Sequence, residues 1–298
     1  HSPVLYYSLK GTFVINPNPH ILKLTGATLI ESPNPEWAIY KLPEAYTDTT
    51  EFQFSNSYSD EPTSLFYGEN IMVFSSFQLT QKFVPITDLQ DWAVMVLHEL
   101  FHSYQRSFPS YRKYYQNLTI PGGPDSFLGA YHKDLPWFRQ QVQRENQLLK
   151  ELWHGEAPPS KGIRRYQELR HQRRERIRRE YEVDITDVED YEIMMEGHAR
   201  YFQSLAKRYM RDNPTDTSML SMADRDLIGN IFDGYDPLKD KGLSDIYNDR
   251  YYYQLGYNIS MILEKYLSGY VETIYQTVFN FNPYLKSLEG EGPVGNKK

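Results

Sequence analysis

The chain has no cysteine among its 298 residues, which removes disulfides, thiolate metal sites, iron–sulfur clusters and thiol nucleophiles together. Any metal must therefore be held by His, Asp or Glu. Long apolar runs are also missing: stretches such as Trp92 to Leu97 fall far short of the roughly 20 residues that cross a bilayer, and mean hydropathy is −0.64. No transmembrane segment is expected. There is no basic excess either, since the formal charge is −7, and a phosphate-backbone reader would need a local basic patch to overcome that field. Nucleic acid is not an expected partner. His1 is preceded by neither an initiator Met nor an apolar leader, as in a chain trimmed of a targeting segment, so a periplasmic or secreted location is expected in preference to a cytoplasmic one.

What is present is a globular composition, 40% apolar and 24% charged, long enough for one large domain or two small ones. Aromatics reach 15%, with 26 Tyr, which implies large half-buried surfaces; a sugar- or peptide-binding cleft is the alternative. Residues 1–81 read as a β-rich region. Short alternating or β-branched runs at Thr12 to Ile15, Trp37 to Leu42, Glu51 to Phe54 and Ile71 to Phe74 are separated by Pro and Asn clusters such as Asn16-Pro17-Asn18-Pro19. From Thr87 the spacing turns helical, and 82–288 is expected to be mostly α. Thr87-Asp88-Leu89-Gln90 reads as a capping box opening a helix from about Asp88 to Arg106.

Pro121-Gly122-Gly123-Pro124 marks a loop, and helices are expected at about Pro136 to Trp153 and Lys161 to Tyr181. The second of these is dense in Arg and reads as a solvated face with i,i+4 pairing. A second capping box, Thr186-Asp187-Val188-Glu189, opens a helix to about Arg211, and another runs from Tyr251 to Leu267 with Gly269 as its C-terminal cap. Residues 289–298 form a Gly- and charge-rich tail expected to fray. The fold class is α+β, an N-terminal sheet packed on a mostly helical region, and no internal repeat is present.

Within the first long helix lies His98-Glu99-Leu100-Phe101-His102, an H-E-x-x-H pattern. Positions i and i+4 share one helix face a turn apart, so both imidazoles can reach one tetrahedral Zn²⁺, while Glu99 can lean over the metal's water. Two satisfied core histidines are the plain alternative. Against it, the ionisable residues sit inside an apolar stretch, and burying them without a partner costs several kcal/mol. A catalytic zinc needs a third protein ligand. The metzincin extension would place Gly at 105 and His at 108, where Gln105 and Phe108 stand. The next His is His132, so a carboxylate from a second helix is the natural candidate.

Met195-Glu196-Gly197-His198-Ala199-Arg200-Tyr201 resembles the N-E-G-F-A-x-Y segment of the aminopeptidase-N-like gluzincins, with Met195 in place of the leading Asn. Tyr253-Gln254-Leu255-Gly256 is similar to that family's Y-x-K-G, with Leu255 in place of Lys. The resemblance covers about Ile71 to Leu267 in patches and reaches the gluzincin (peptidase MA-like) superfamily, no closer. It implies a zincin-like catalytic region, Glu196 as third zinc ligand and Tyr253 as a catalytic hydroxyl. In those aminopeptidases about a score of residues separate the second His from the Glu, whereas here the whole stretch from Ser103 to Met195 intervenes; a helical insertion at about 121–182 accounts for it. Glu192, one turn before Glu196, is the rival ligand or a hydrogen-bond partner of a ligating His. Small Gly197 and Ala199 would let this helix approach the His98 helix, and His198 is expected to be structural. Of the family's amine-binding motif only Glu69-Asn70 is preserved, upstream of the strand at Ile71.

The expected function is zinc-dependent hydrolysis of peptide bonds in a peptide or protein substrate, with Glu99 as general base and Tyr253 on the oxyanion. The strand Ile71 to Ser75 is expected to be an exposed edge able to pair with an extended substrate. An endopeptidase is preferred. The alternatives are an aminopeptidase with Glu69 on the substrate amine, a hydrolase of non-peptide bonds, and a non-catalytic peptide- or glycan-binding module on a peptidase scaffold. Oligomeric state is left open.

Overall fold

Alternation of side chains along the first strands determines how the N-terminal part folds. The computed structural model describes residues 3–30, 36–47, 50, 52–83, 89–118, 124–212 and 251–290, and the chain divides into two compact units, His1–Ser107 and Phe108–Lys298. The architecture is α+β. The first unit holds β1 (Val4–Ser8), β2 (Gly11–Ile15), β3 (Thr28–Ile30), β4 (Ile39–Lys41), β5 (Phe54–Ser57) and β6 (Ile71–Ser75) in one mixed sheet of order β3-β4-β2-β1-β6-β5. Only the β1–β6 pair is parallel.

One face of this sheet is aliphatic. Leu5, Val14, Ile71 and Val73 are buried with Leu42 and with Ile21 of helix α1 (Pro19–Thr25). That helix starts where Asn18 Oδ1 accepts from the Ile21 amide at 2.8 Å, a standard N-cap. The facing row is aromatic: Phe13, Tyr6, Phe74 and Phe54 stand directly opposite one another across four strands, with centroids 5.1–6.4 Å apart. Such cross-strand pairs fix register. Helix α2 (Phe77–Thr80) follows β6, and α3 (Leu89–Ser107) then anchors on the sheet through Trp92, whose Nε1 donates to the Ser75 carbonyl at 2.8 Å and whose ring lies 5.8 Å from Phe74.

The expected edge is corrected here. Ile71–Ser75 lies between β1 and β5, paired on both sides, and β5 is the edge strand. The run Glu51 to Phe54 marked the neighbourhood of β5 in the sequence, but nothing in a short apolar run says which side of a sheet stays unpaired.

The second unit is helical: α4 (Pro109–Gln116), α5 (Pro124–Asp134), α6 (Pro136–His154), α7 (Pro159–Tyr181), α8 (Thr186–Glu192), a π-helical segment (Ile193–Gly197), α9 (His198–Asp212), α10 (Tyr251–Tyr266), α11 (Tyr270–Thr277) and α12 (Asn282–Leu288). Pro109, Pro124, Pro136 and Pro159 each open a helix, where a missing N–H costs nothing. Gly155 ends α6 in a left-handed conformation, its N–H bonded to the Leu152 carbonyl at 3.1 Å.

Three expectations change. Thr186 is not a cap: Asp184 accepts from the Thr186 amide at 2.8 Å, and Glu189, meant to reach back, is buried among arginines. Gly269, at φ 78°, is the N-cap of α11, not the end of the preceding helix. The Arg-rich α7 is solvated on one side only, where Arg165–Glu168 (3.1 Å) and Arg176–Glu180 (2.8 Å) pair along the helix. Its other side carries Arg170, Arg173 and Arg174 inward. Arg173 is held by Glu145 of α6 at 2.7 and 2.8 Å and by Glu189 of α8 at 2.5 Å. Arg174 bonds Glu189 at 2.7 Å and Asp190 at 2.5 Å, and Arg170 bonds Asp190. Tyr251 of α10 also donates to Glu189. Three cations thus meet three anions, so no net charge is buried. Burial alone would raise the Glu189 and Asp190 carboxyls, but the adjacent guanidiniums outweigh it and hold both below their usual range. Thr87-Asp88, Pro121-Gly122-Gly123 and residues 291–298 lie outside the described residues.

Candidate metal centre

His98, Glu99 and His102 lie on two adjacent stripes of α3. His98, His102 and Gln105 fall at i, i+4 and i+7, and so share one side of the helix. The two imidazoles stand perpendicular, 89° apart, with centroids at 4.6 Å. His102 is buried, and its Nδ1 lies 2.8 Å from Gln105 Oε1. An amide oxygen only accepts, so Nδ1 is the donor, and in the neutral ring Nε2 carries the lone pair. Gln105, noted in the sequence only because it is not Gly, is therefore the hydrogen-bond partner of the His102 ring.

The second stripe, Glu99, Ser103 and Arg106, repeats the same spacing one residue along, and all three side chains or carbonyls reach Asn56 on the edge strand β5. Asn56 Nδ2 donates to the Glu99 carbonyl at 2.9 Å and to its Oε2 at 3.1 Å. Ser103 Oγ donates to Asn56 Oδ1, and Arg106 Nη1 donates to the Asn56 carbonyl at 2.9 Å. Asn56 escaped sequence reasoning because its partners on α3 lie 43 or more positions away.

Glu196 belongs to the π-helical segment, a wide turn of a kind found at functional sites. Gly197 beside it packs against α10: a Cβ there would lie 2.3 Å from the Gly256 Cα, and one on Gly256 would lie 2.1 Å from the Ile193 carbonyl oxygen. The smallness of Gly197 thus serves the approach of α10. Tyr253, one turn before Gly256, is buried in the first turn of α10, its ring 5.5 Å from that of Tyr252. The crossing of Gly197 and Gly256 fixes the relation of Glu196 to the helix bearing Tyr253.

His198 turns into an aromatic cage. Its ring stacks on Tyr201, Tyr270 and Tyr275, Nε2 lies 3.3 Å from Tyr270 Oη, and Nδ1 bonds Tyr275 Oη. Burial pushes its pKa down to about 3, so the ring is neutral.

Among the described residues, His98, His102 and Glu196 are a group that could hold a metal ion. Glu192 is buried and stands outside this group. Glu69 is exposed on the turn before β6, and its Oε2 accepts from Asn18 Nδ2 at 3.2 Å. No helix among the described residues is long and apolar enough to cross a membrane. No family model, curated protein or solved structure matches the chain.

Proposed function

We propose that the chain is a zinc-dependent peptidase of gluzincin type, cleaving internal peptide bonds in preference to terminal ones. The observation that carries this reading is the grouping of the His98, His102 and Glu196 ligand atoms, with Glu99 next to the first of them. Two imidazoles and one carboxylate are a catalytic zinc's donor set, leaving a fourth position for water. The Gln105 bond to His102 supports the fit, because it engages Nδ1 and orients the ring so that Nε2 is the nitrogen offered to a metal.

Zinc held by His98, His102 and Glu196 would supply Lewis acidity toward the scissile carbonyl and the attacking water. Glu99 takes that water's proton and returns it to the leaving amine, as a general base and then acid. Tyr253 donates a hydrogen bond to the carbonyl oxygen as it gains charge. Helices α5 to α7 serve as the elaboration that lengthens the chain between His102 and Glu196. The preference for internal bonds rests on Glu69, whose carboxylate is already engaged by Asn18 and is exposed to solvent, a poor anchor for a substrate amine.

The test is turnover of a free and N-acetylated peptide library by zinc-loaded wild type and Glu99→Gln. Cleavage of both peptide forms by wild type, with the variant binding zinc but losing turnover, is expected. Absence of turnover by zinc-loaded wild type would rule out the peptidase, and cleavage of free-amine peptides alone would replace it with an aminopeptidase.

A further inference from the structure

Resting on that reading, we propose that Asn56 is a positioning residue for the general base, holding the Glu99 carboxylate in one orientation from the edge strand. A glutamate has three rotatable bonds, and restricting such a side chain costs rotamer entropy. Something must fix it if its proton transfer is to be well aimed, because small misplacements of a reacting group cost large factors in rate. The donor that does so here is an amide whose own orientation is set. Ser103 donates to Asn56 Oδ1, so Nδ2 is turned toward Glu99, where it meets both the main-chain carbonyl and Oε2. The bond to the carboxylate is charge-assisted. It leaves Oε1 as the oxygen available for proton transfer.

Asn56 is itself held at two levels. Its register opposite Met72 ties its main chain to β6, and Ser103 sets its side-chain amide. The base is thereby referenced to the sheet as well as to its own helix. Arg106 provides the internal comparison, since it bonds the main-chain carbonyl of Asn56 and not the side-chain amide that meets Glu99. A purely structural role for Asn56 would make loss of either contact equivalent, whereas a positioning role would not.

The experiment compares zinc-loaded wild type, Asn56→Ala, Asn56→Asp and Arg106→Ala by zinc content, kcat and KM on one peptide, melting temperature, and crystal structures of wild type and Asn56→Ala. For Asn56→Ala we expect unchanged zinc content, KM within about twofold and kcat lower by about 10- to 100-fold, the usual cost of losing an outer partner of a catalytic group. The Glu99 side chain should occupy more than one rotamer. Asn56→Asp keeps the acceptor for Ser103 but sets a second carboxylate against Glu99, and its kcat should fall at least as far. Arg106→Ala should lower the melting temperature and keep kcat within about twofold of wild type, as expected of a residue outside the reaction. The inference is overturned if Asn56→Ala retains kcat, if Arg106→Ala loses as much kcat as Asn56→Ala, or if Glu99 keeps its single rotamer without Asn56. Should zinc-loaded wild type cleave no peptide, the peptidase reading fails, and the Glu99 rotamers alone decide the positioning role.

Discussion

The Cα of Gly256 lies where a side chain on Gly197 would begin, 2.3 Å from an added Cβ. Alanine is favoured over glycine inside a helix by about 1 kcal/mol, so propensity alone says that Gly197→Ala and Gly256→Ala stabilise. The contact is with backbone, which cannot rotate away, and overpacking of this kind costs about 1–3 kcal/mol or more. Net destabilisation is expected for both variants, read as a lower urea midpoint. A higher midpoint for either would show that the helices separate without cost.

The bond between His102 and Gln105 carries a prediction about metal affinity. Gln105→Leu removes the acceptor for the Nδ1 proton, and loss of such a partner weakens metal binding by about 10- to 100-fold. Gln105→Glu retains an acceptor and should bind zinc at least as tightly as wild type. Competition against a chelator of known affinity measures both. Equal affinity in the Leu variant would mean that the imidazole needs no orienting partner.

Stability at acid pH should trace the buried arginine cluster. Burial alone would raise the Asp190 pKa, but Arg170 and Arg174 outweigh it and the folded value is lowered. A carboxylate depressed in the folded state contributes stability that is complete above its unfolded pKa, about 3.9, and is lost as pH falls through the folded value. Asp190→Asn should therefore cost about 3–5 kcal/mol at neutral pH, the range for breaking a buried pair. The gap between wild type and variant should narrow below about pH 4, where the carboxylate of the unfolded chain begins to take up its proton while the folded one stays ionised. Urea unfolding at pH 7 and pH 3 checks it; a gap that widens on acidification would give the opposite sign.

Legibility followed the range of the interactions. Helix α3 was readable because apolar residues recur at its own period and its histidines sit one turn apart. Gly256 was singled out by resemblance, but its reason, a crossing against Ile193 and Gly197, appears only when two distant helices are seen together. The arginines of α7 looked solvated because their partners Glu145, Glu189 and Asp190 are on other helices. The edge strand was misassigned because strand order depends on pairing with β1, which lies at the start of the chain. The π-helical turn at Glu196 left no mark in a sequence that reads as ordinary helix.

Zinc stoichiometry is the most direct measurement of the site. Protein stripped with chelator, reconstituted with zinc and passed through a desalting column should retain about one zinc per chain by elemental analysis, as a three-ligand catalytic site does. His98→Ala, His102→Ala and Glu196→Gln should each lose most of it, while Glu192→Gln should retain it. Retention of one zinc by the histidine variants, or loss in Glu192→Gln with retention in Glu196→Gln, would contradict the assignment.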